Sequence, residues 1–420
     1  MANSAKTCDI AVIGGGPAGS MAAIRAGQLG RSAALIEKNF FLGSKILITG
    51  RGRCNLTNTA SMDVFIKKFG RREGEFFRSA FFSFSNEDLM EFFRAGGLEL
   101  KVERQGRVFP VTDKARSVTL VLEKCLKESG VDVMYGARLL DIKRKAGGFT
   151  LILKDGVSIT AKKVIIASGG ASFKATGSTG DGFSLAERMG HMIAPLKPAL
   201  VPLKAKERWV KELQGVGLES IRLTFHYGDK RVVSEIGELM FTHFGVSGPL
   251  VLDASGDAVS ALDKYKEIRM TIDLKPGLKK EQLESRLVKE FAAEGDARIG
   301  SLMRNLLPKR MIAVFLALLN ISQEKRANQM TKEERRAIID ALKAFSLTIT
   351  GSLPIEEAMV TGGGVSKNEI NPRTMESRIA PGLYFAGEVI EGRAPSGGYN
   401  LQQAFSTGWL AGEKAAESVK

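Results

Sequence analysis

The chain has 420 residues, 44% of them hydrophobic and 25% charged, values of a globular protein with room for two or three domains. Its net charge of +15 favours anionic partners, but the basic residues are dispersed and no nucleic-acid motif accompanies them, so nucleic acid is not expected as a partner. No apolar run approaches the roughly 18 residues of a membrane span, no signal-peptide pattern opens the chain, and Cys8, Cys54 and Cys125 form no C-x-x-C pair; a cytoplasmic protein without dithiol chemistry and without a metal is expected.

The first elements in chain order carry the strongest signal. The apolar run 9–13 reads as a strand. It meets the turn Gly14-Gly15-Gly16-Pro17-Ala18-Gly19, a helical stretch follows to Leu29, and a second strand, 32–36, ends on Glu37. This is the strand–turn–helix–strand–acid order of a dinucleotide site. Gly14 permits the tight turn, Gly16 lets backbone approach a pyrophosphate, and Gly19 lets helix pack on strand. The helix N-terminus offers N–H groups and a positive dipole end to the phosphates. Glu37 accepts hydrogen bonds from the ribose of an AMP half.

The loop 40–58 follows directly and mixes glycines with Lys45, Arg51, Arg53 and Asn55. It is expected to lay backbone and cations along a cofactor's phosphates and ring edge, with Cys54 a small packing residue. Residues 76–97 carry phenylalanines at helical spacing and read as core. Short strands are expected at 131–134, 149–153 and 157–160, as a small meander. The run 164–168 reads as a parallel strand buried on both faces, and Gly169 and Gly170 at its end bring backbone near a ligand. Asp181 opens a helix and is expected to cap it.

Residues from Pro195 to about Pro276 alternate like strands, and those from 279 to about 345 fall at helical spacing. His243, in a turn flanked by Thr242 and Phe244-Gly245, is the candidate proton carrier of a hydride step. Near the C-terminus a third strand runs through 382–386 to Gly387-Glu388. The turn Gly397-Gly398-Tyr399-Asn400-Leu401 then leads into a helix reaching about Ala416. A carboxylate at a strand tip can hold a sugar-alcohol hydroxyl, and a glycine-lined helix start can aim N–H groups at an anion.

These motifs, with 50–58, 106–110, 176–182 and 241–249, lie in order along nearly the whole chain. In them the sequence resembles the BaiN/YhiN-like, aminoacetone-oxidase-related flavoprotein family. The resemblance implies non-covalent FAD in an extended pose and a split FAD domain with a barrel-like and helical insert. Gly14 to Gly19 with Glu37 and Lys38 would hold the ADP half, and backbone near Leu139 would face the adenine. Glu388 would take the ribityl or pyrophosphate side, and Gly398 to Leu401 the pyrimidine edge of the ring. The chain departs from the family at Phe173-Lys174, where relatives carry a Tyr-Pro pair, and at Arg393.

The fold expected is α/β: a Rossmann-like FAD-binding domain, parallel sheet plus β-meander, from 1–195 and 346–420. It is interrupted by an insert, 196–345, β-rich over 196–276 and helical over 277–345. The activity expected is FAD-dependent hydride transfer to or from a small organic substrate, with NAD(P)H, oxygen or another acceptor as redox partner. Two alternatives stand beside it: a flavoenzyme that modifies RNA, and a non-catalytic flavin-binding redox sensor.

Overall fold

The computed structural model describes residues 6–420. They form two compact units, one ending at Pro198 and resuming over Ile355–Lys420, the other Ala199–Pro354.

In the first unit, runs of β-branched and small apolar residues make a parallel sheet. The strands lie in the order Asp132–Met134, Ala33–Ile36, Lys6–Ile13, Ser158–Ile166. The strand Ser158–Ile166 then forks. Its first half pairs antiparallel with Gly148–Leu153, which pairs with Leu139–Lys145 to complete a meander. Its second half pairs in parallel with Leu383–Phe385, Val164 opposite Leu383. The expected strand at 131–134 therefore belongs to the parallel sheet and not to the meander, whose first strand is Leu139–Lys145. That strand is hard to see in the sequence because Asp141, Lys143, Arg144 and Lys145 face outward on it. Ile10 to Val12 and Val164 to Ile166 are fully buried, as strands covered on both faces must be.

Because these strands are parallel, the turns after Ile13, Ile36, Ile166 and Phe385 gather at one edge of the sheet. That carboxyl edge is where ligands bind in open α/β sheets. The helix Pro17–Gln28 covers one face and is itself covered by the final helix, Tyr399–Glu417. The approach of the two helices is set by small residues. A Cβ on Gly408 would stand 2.2 Å from the Ala18 carbonyl oxygen, and one on Gly412 2.3 Å from that of Ala22.

The phenylalanine-rich segment forms the helices Arg71–Ser83 and Asn86–Ala95. Most of its rings are core, as their spacing predicted. Phe77 packs edge-on to Phe69 at 5.3 Å, and Phe84 stacks on Trp409 at 4.5 Å. Phe82 is the exception, 60% exposed.

The second unit is a closed antiparallel barrel with helices. Its strands are Leu203–Ala205, Gly245–Ser247, Lys230–Phe241, Gly217–Tyr227, Ile268–Asp273 and Phe345–Ser352, in that order around the barrel. Within the stretch read as alternating strands, Pro249–Leu262 is helical. Pro249 occupies the first helical turn after Gly248, and Val251, Ser255 and Ala258 bury one face, a spacing only a helix can use. The helices Lys280–Ala293, Lys309–Leu318 and Lys332–Lys343 pack a second apolar core.

Candidate functional site

The glycine turn has the geometry a dinucleotide needs. Gly14 sits at φ +102°, and a Cβ there would lie 2.6 Å from the Ala167 carbonyl oxygen; one on Gly19 would lie 1.8 Å from that of Gly14. Gly16 differs from both, because a Cβ there would meet nothing within 4 Å. It opens onto free space at the N-terminus of Pro17–Gln28. That helix has no side-chain cap and no acid in its first turn, so its N–H groups and dipole are left for an anion. The space beside Gly16 and the uncapped donors fit a bound pyrophosphate.

Glu37 lies at the tip of the second strand, 7% exposed. Its carboxylate accepts from the N–H of Gly15 at 2.6 Å and of Asn39 at 2.7 Å. Each oxygen keeps a lone pair for a ribose hydroxyl. The Ala137 N–H donates to the Glu37 carbonyl, which brings the start of the Leu139–Lys145 strand beside Glu37. Lys38 is drawn across to the 176–182 segment. Its Nζ reaches Asp181 Oδ2 at 2.9 Å and Thr179 Oγ1 at 2.5 Å. Asp181 accordingly does not cap its helix; Gly180 occupies that position without a side-chain bond. Burial would raise the Asp181 carboxyl, but Lys38 and Arg138 hold it below the usual carboxylate range.

The sheet edge is closed by a polar network centred on Glu388. Its carboxylate accepts from Lys45 Nζ at 2.8 Å, Ser172 Oγ at 3.1 Å and the Thr361 N–H at 2.8 Å. Lys45 also reaches Ser172 Oγ at 2.7 Å. Burial pushes the Glu388 carboxyl up, and the Lys45 ammonium with these donors more than offsets it, so the group stays ionised. Gly170 is glycine for this reason, since its Cβ would stand 2.3 Å from Thr361 Oγ1 and 2.6 Å from Glu388 Oε1. Gly169 precedes it at φ +74°. Ser172 and Thr361 were not among the expected site residues, and Lys45 was expected as a cation along the cofactor rather than as the partner of a carboxylate. The sequence does carry Lys45 in the glycine-bearing loop, but nothing local pairs it with a carboxylate so far along the chain.

Two asparagines gather the third part of the site. With its side-chain amide turned so that the oxygen faces the donor and the nitrogen the acceptor, Asn55 accepts from the Gly398 N–H and donates to the Thr57 carbonyl, both at 3.1 Å. Asn58 Nδ2 donates to the carbonyls of Gln105 at 2.9 Å and Gly397 at 3.1 Å. Gly398 turns at φ +97° into the last helix, and a Cβ there would lie 2.4 Å from the Thr57 carbonyl oxygen. Tyr399 packs edge-on against Phe65 at 4.8 Å. Asn400 holds the preceding turn through the N–H and carbonyl of Ala394. Leu401 is half-buried, and Gly387 packs on Ala18.

Arg53 is placed differently from the cofactor contact expected of it. Its guanidinium pairs with Glu103 at 2.8 Å and Asp113 at 3.4 Å and lies over the Phe109 ring at 4.1 Å. It fixes the loop and has little charge left to offer a phosphate. Cys54 is fully buried, and desolvation pushes its thiol up to about 12, consistent with packing. His243 lies in the second unit, exposed in the turn between Lys230–Phe241 and Gly245–Ser247, its ring edge-on to Phe244. Among the described residues no group of three or more His, Cys, Asp or Glu is placed to hold a metal ion, and no helix is long and apolar enough to cross a membrane.

The family model described as the HI0933-like protein Rossmann domain matches residues 8–414. The chain belongs to the HI0933-like family. This agrees with the resemblance carried by its motifs. A 3-dehydro-bile acid delta(4,6)-reductase of Clostridium scindens is 36% identical over 97% of this chain and 99% of that protein. A ribosomal RNA dihydrouridine synthase of Escherichia coli is 32% identical over 96% of this chain and 97% of its own. Among solved structures, a flavocytochrome c3 fumarate reductase in its open conformation superposes with a TM-score of 0.54 at 18% identity. It covers 98% of this chain and 78% of the other, a likeness of fold. This HI0933-like chain is an FAD-dependent oxidoreductase.

Proposed function

We propose that this enzyme reduces a carbon–carbon double bond conjugated to a carbonyl in a small organic substrate, drawing its electrons from NADH or NADPH. One observation carries the reading. The two relatives are named for reactions on unlike molecules, a 3-dehydro bile acid and a uridine in ribosomal RNA, yet the two reactions meet at one functional group. In an oxo steroid dienone and in a uracil ring, the double bond that is lost is conjugated to a carbonyl.

FAD bound at this site supplies, when reduced, the hydride for the β-carbon of such a bond. The residues of the chain do the rest. Glu37, Lys38 and the Gly14–Gly19 turn would hold the ADP half. The Lys45–Glu388 network would meet the ribityl or pyrophosphate side. The uncapped start of Tyr399–Glu417 would present N–H groups to the pyrimidine edge, where a dipole end stabilises negative charge. The proton that completes the α-carbon is assigned to His243, whose imidazole can carry one. With three free cysteines and no disulfide among the described residues, a cytoplasmic setting is the one we assign.

The test is anaerobic. The yellow protein is bleached with NADPH or NADH and then mixed with a steroid dienone or a simple cyclic enone. Return of the oxidised flavin spectrum with loss of the conjugated absorbance supports the reading. A bleached enzyme that no enone re-oxidises, but that oxygen or an unconjugated acceptor does, would overturn it. A second reading, reduction of uridine in RNA, is favoured by the +15 charge and by the dihydrouridine synthase relatives. It requires salt-sensitive RNA binding, which a filter-binding titration decides.

A further inference from the structure

We infer that Arg51 and Arg104 form an anion-recognition rim beside the flavin ring edge, so that the substrate carries an oxyanion, a carboxylate or a phosphate, besides its reducible bond. The inference rests on the placement of the ring edge at the Gly398 turn given above. Three segments converge on that turn. The loop 50–55 reaches it through Asn55 and the Gly398 N–H, and the hairpin tip 103–107 reaches it through Asn58, which bonds both the Gln105 and Gly397 carbonyls. Thr59 N–H adds a bond to the Gly106 carbonyl.

The charges on these segments are unevenly spent. Arg53 and Lys101 are neutralised by Glu103 and Asp113, with Lys101 at 2.5 Å from Asp113. Arg51 and Arg104 are exposed, and their guanidinium groups have no hydrogen-bond or carboxylate partner among the described residues. Arg107, beside them, donates its Nε to the Arg104 carbonyl and shares its charge with Glu103.

Arg51 is also held where a side chain is unusual. It lies at φ +58° between Gly50 at +61° and Gly52 at +82°, and Cys54 follows at +64°. A left-handed turn of this kind favours glycine, so a side chain held there is kept against its backbone preference. Gln105, next to Arg104, is left-handed as well, at φ +61°. Two exposed guanidinium groups, on segments that asparagines pin to one helix start, are available there for an oxyanion.

The test uses the FAD-loaded enzyme and three probes: a steroid enone with a side-chain carboxylate, its methyl ester, and a short oligouridylate. Binding is read from the flavin visible spectrum and, for the probe that turns over, from KM. The Arg51→Gly/Arg104→Ala protein, which relieves the left-handed strain and removes no side-chain hydrogen bond or ion pair seen among the described residues, should bind the anionic probe at least about 10-fold more weakly relative to the ester. Arg51→Lys should keep most of the discrimination. Raised salt should weaken the acid and spare the ester. Loss of affinity for the carboxylate identifies a small acid, and loss confined to the oligouridylate identifies a phosphate. Equal affinity of the double variant and the parent for both anionic probes would overturn the rim, even if the enones still re-oxidise the flavin. If no enone is reduced but the acid still perturbs the spectrum through these arginines, the reaction assigned above fails and the rim stands.

Discussion

Lys45 and Glu388 stand 343 positions apart in the chain and meet in an ion pair of 2.8 Å at the carboxyl edge of the parallel sheet. The pair joins the loop after the second strand to the loop after Leu383–Phe385, and Ser172 and Thr361 tie it to two more segments. Lys45→Met would leave a largely desolvated carboxylate without its cation. We expect a loss of about 2 kcal/mol in stability and weaker FAD retention. Adding Glu388→Gln should recover part of the stability, because the two changes act on one network. Urea unfolding of the single and double variants measures both effects, and full additivity would count against the coupling.

The same carboxylate gives a pH dependence with a definite sign. The folded-state pKa of Glu388 lies below its ordinary 4.5, so the unfolded chain binds the proton more readily. The stabilisation is therefore complete above about pH 4.5 and is lost as pH falls through the folded value. Glu388→Gln should flatten the acid limb of the stability curve. An unchanged acid limb in that variant would show that other carboxylates set it.

Gly408 and Gly412 set how closely the last helix approaches Pro17–Gln28. On an isolated helix, glycine to alanine would gain about 1 kcal/mol. Here each added methyl meets a backbone carbonyl at 2.2 or 2.3 Å. Gly408→Ala and Gly412→Ala are each expected to destabilise by about 1–3 kcal/mol. Thermal unfolding reads the sign directly; a raised midpoint in either variant would contradict the close packing.

Glu37→Gln should weaken FAD binding about 10-fold or more, through loss of charge-assisted bonds to the ribose and misalignment of Gly15. An amide has one acceptor oxygen, so it cannot satisfy both the Gly15 and Asn39 N–H groups. Fluorescence titration of the apoprotein with FAD gives the constant. Parent-like affinity would move the ribose away from Glu37.

His243→Ala separates two halves of the reaction. If His243 carries the proton, bleaching by the nicotinamide stays fast while re-oxidation by the enone slows about 10²-fold or more. Equal slowing of both halves, or none of either, would remove that role.

Desolvation pushes the thiols of Cys54 and Cys8 up to about 12 and about 11. The thiolate fraction near neutral pH is then minute. In the native protein Cys54 should resist iodoacetamide at pH 8 and react only after unfolding. Rapid alkylation of Cys54 with the fold intact would reopen a redox role for it.

What the sequence determined by itself was local. The Gly14–Gly19 turn, the buried strands on either side of it and Glu37 lie within one short stretch, and backbone sterics there leave few alternatives. The order of glycine-bearing strands likewise specified a flavin fold, since each strand announces itself by an apolar run and a turn. Pro249–Leu262 escaped because a helix covered by a barrel has small and apolar residues on several faces, and its period is blurred. Leu139–Lys145 escaped because its outward charges hide the alternation.

Only the tertiary structure decided which distant groups meet. Nothing near Lys45 names Glu388 as its partner, and nothing near Arg53 says that Glu103 and Asp113 neutralise it while Arg51 has no carboxylate partner among the described residues. Those choices are made by the forked strand Ser158–Ile166 and by the asparagine ties of Asn55 and Asn58. Desolvation and pairing act over a few ångströms of space, whatever the separation along the chain.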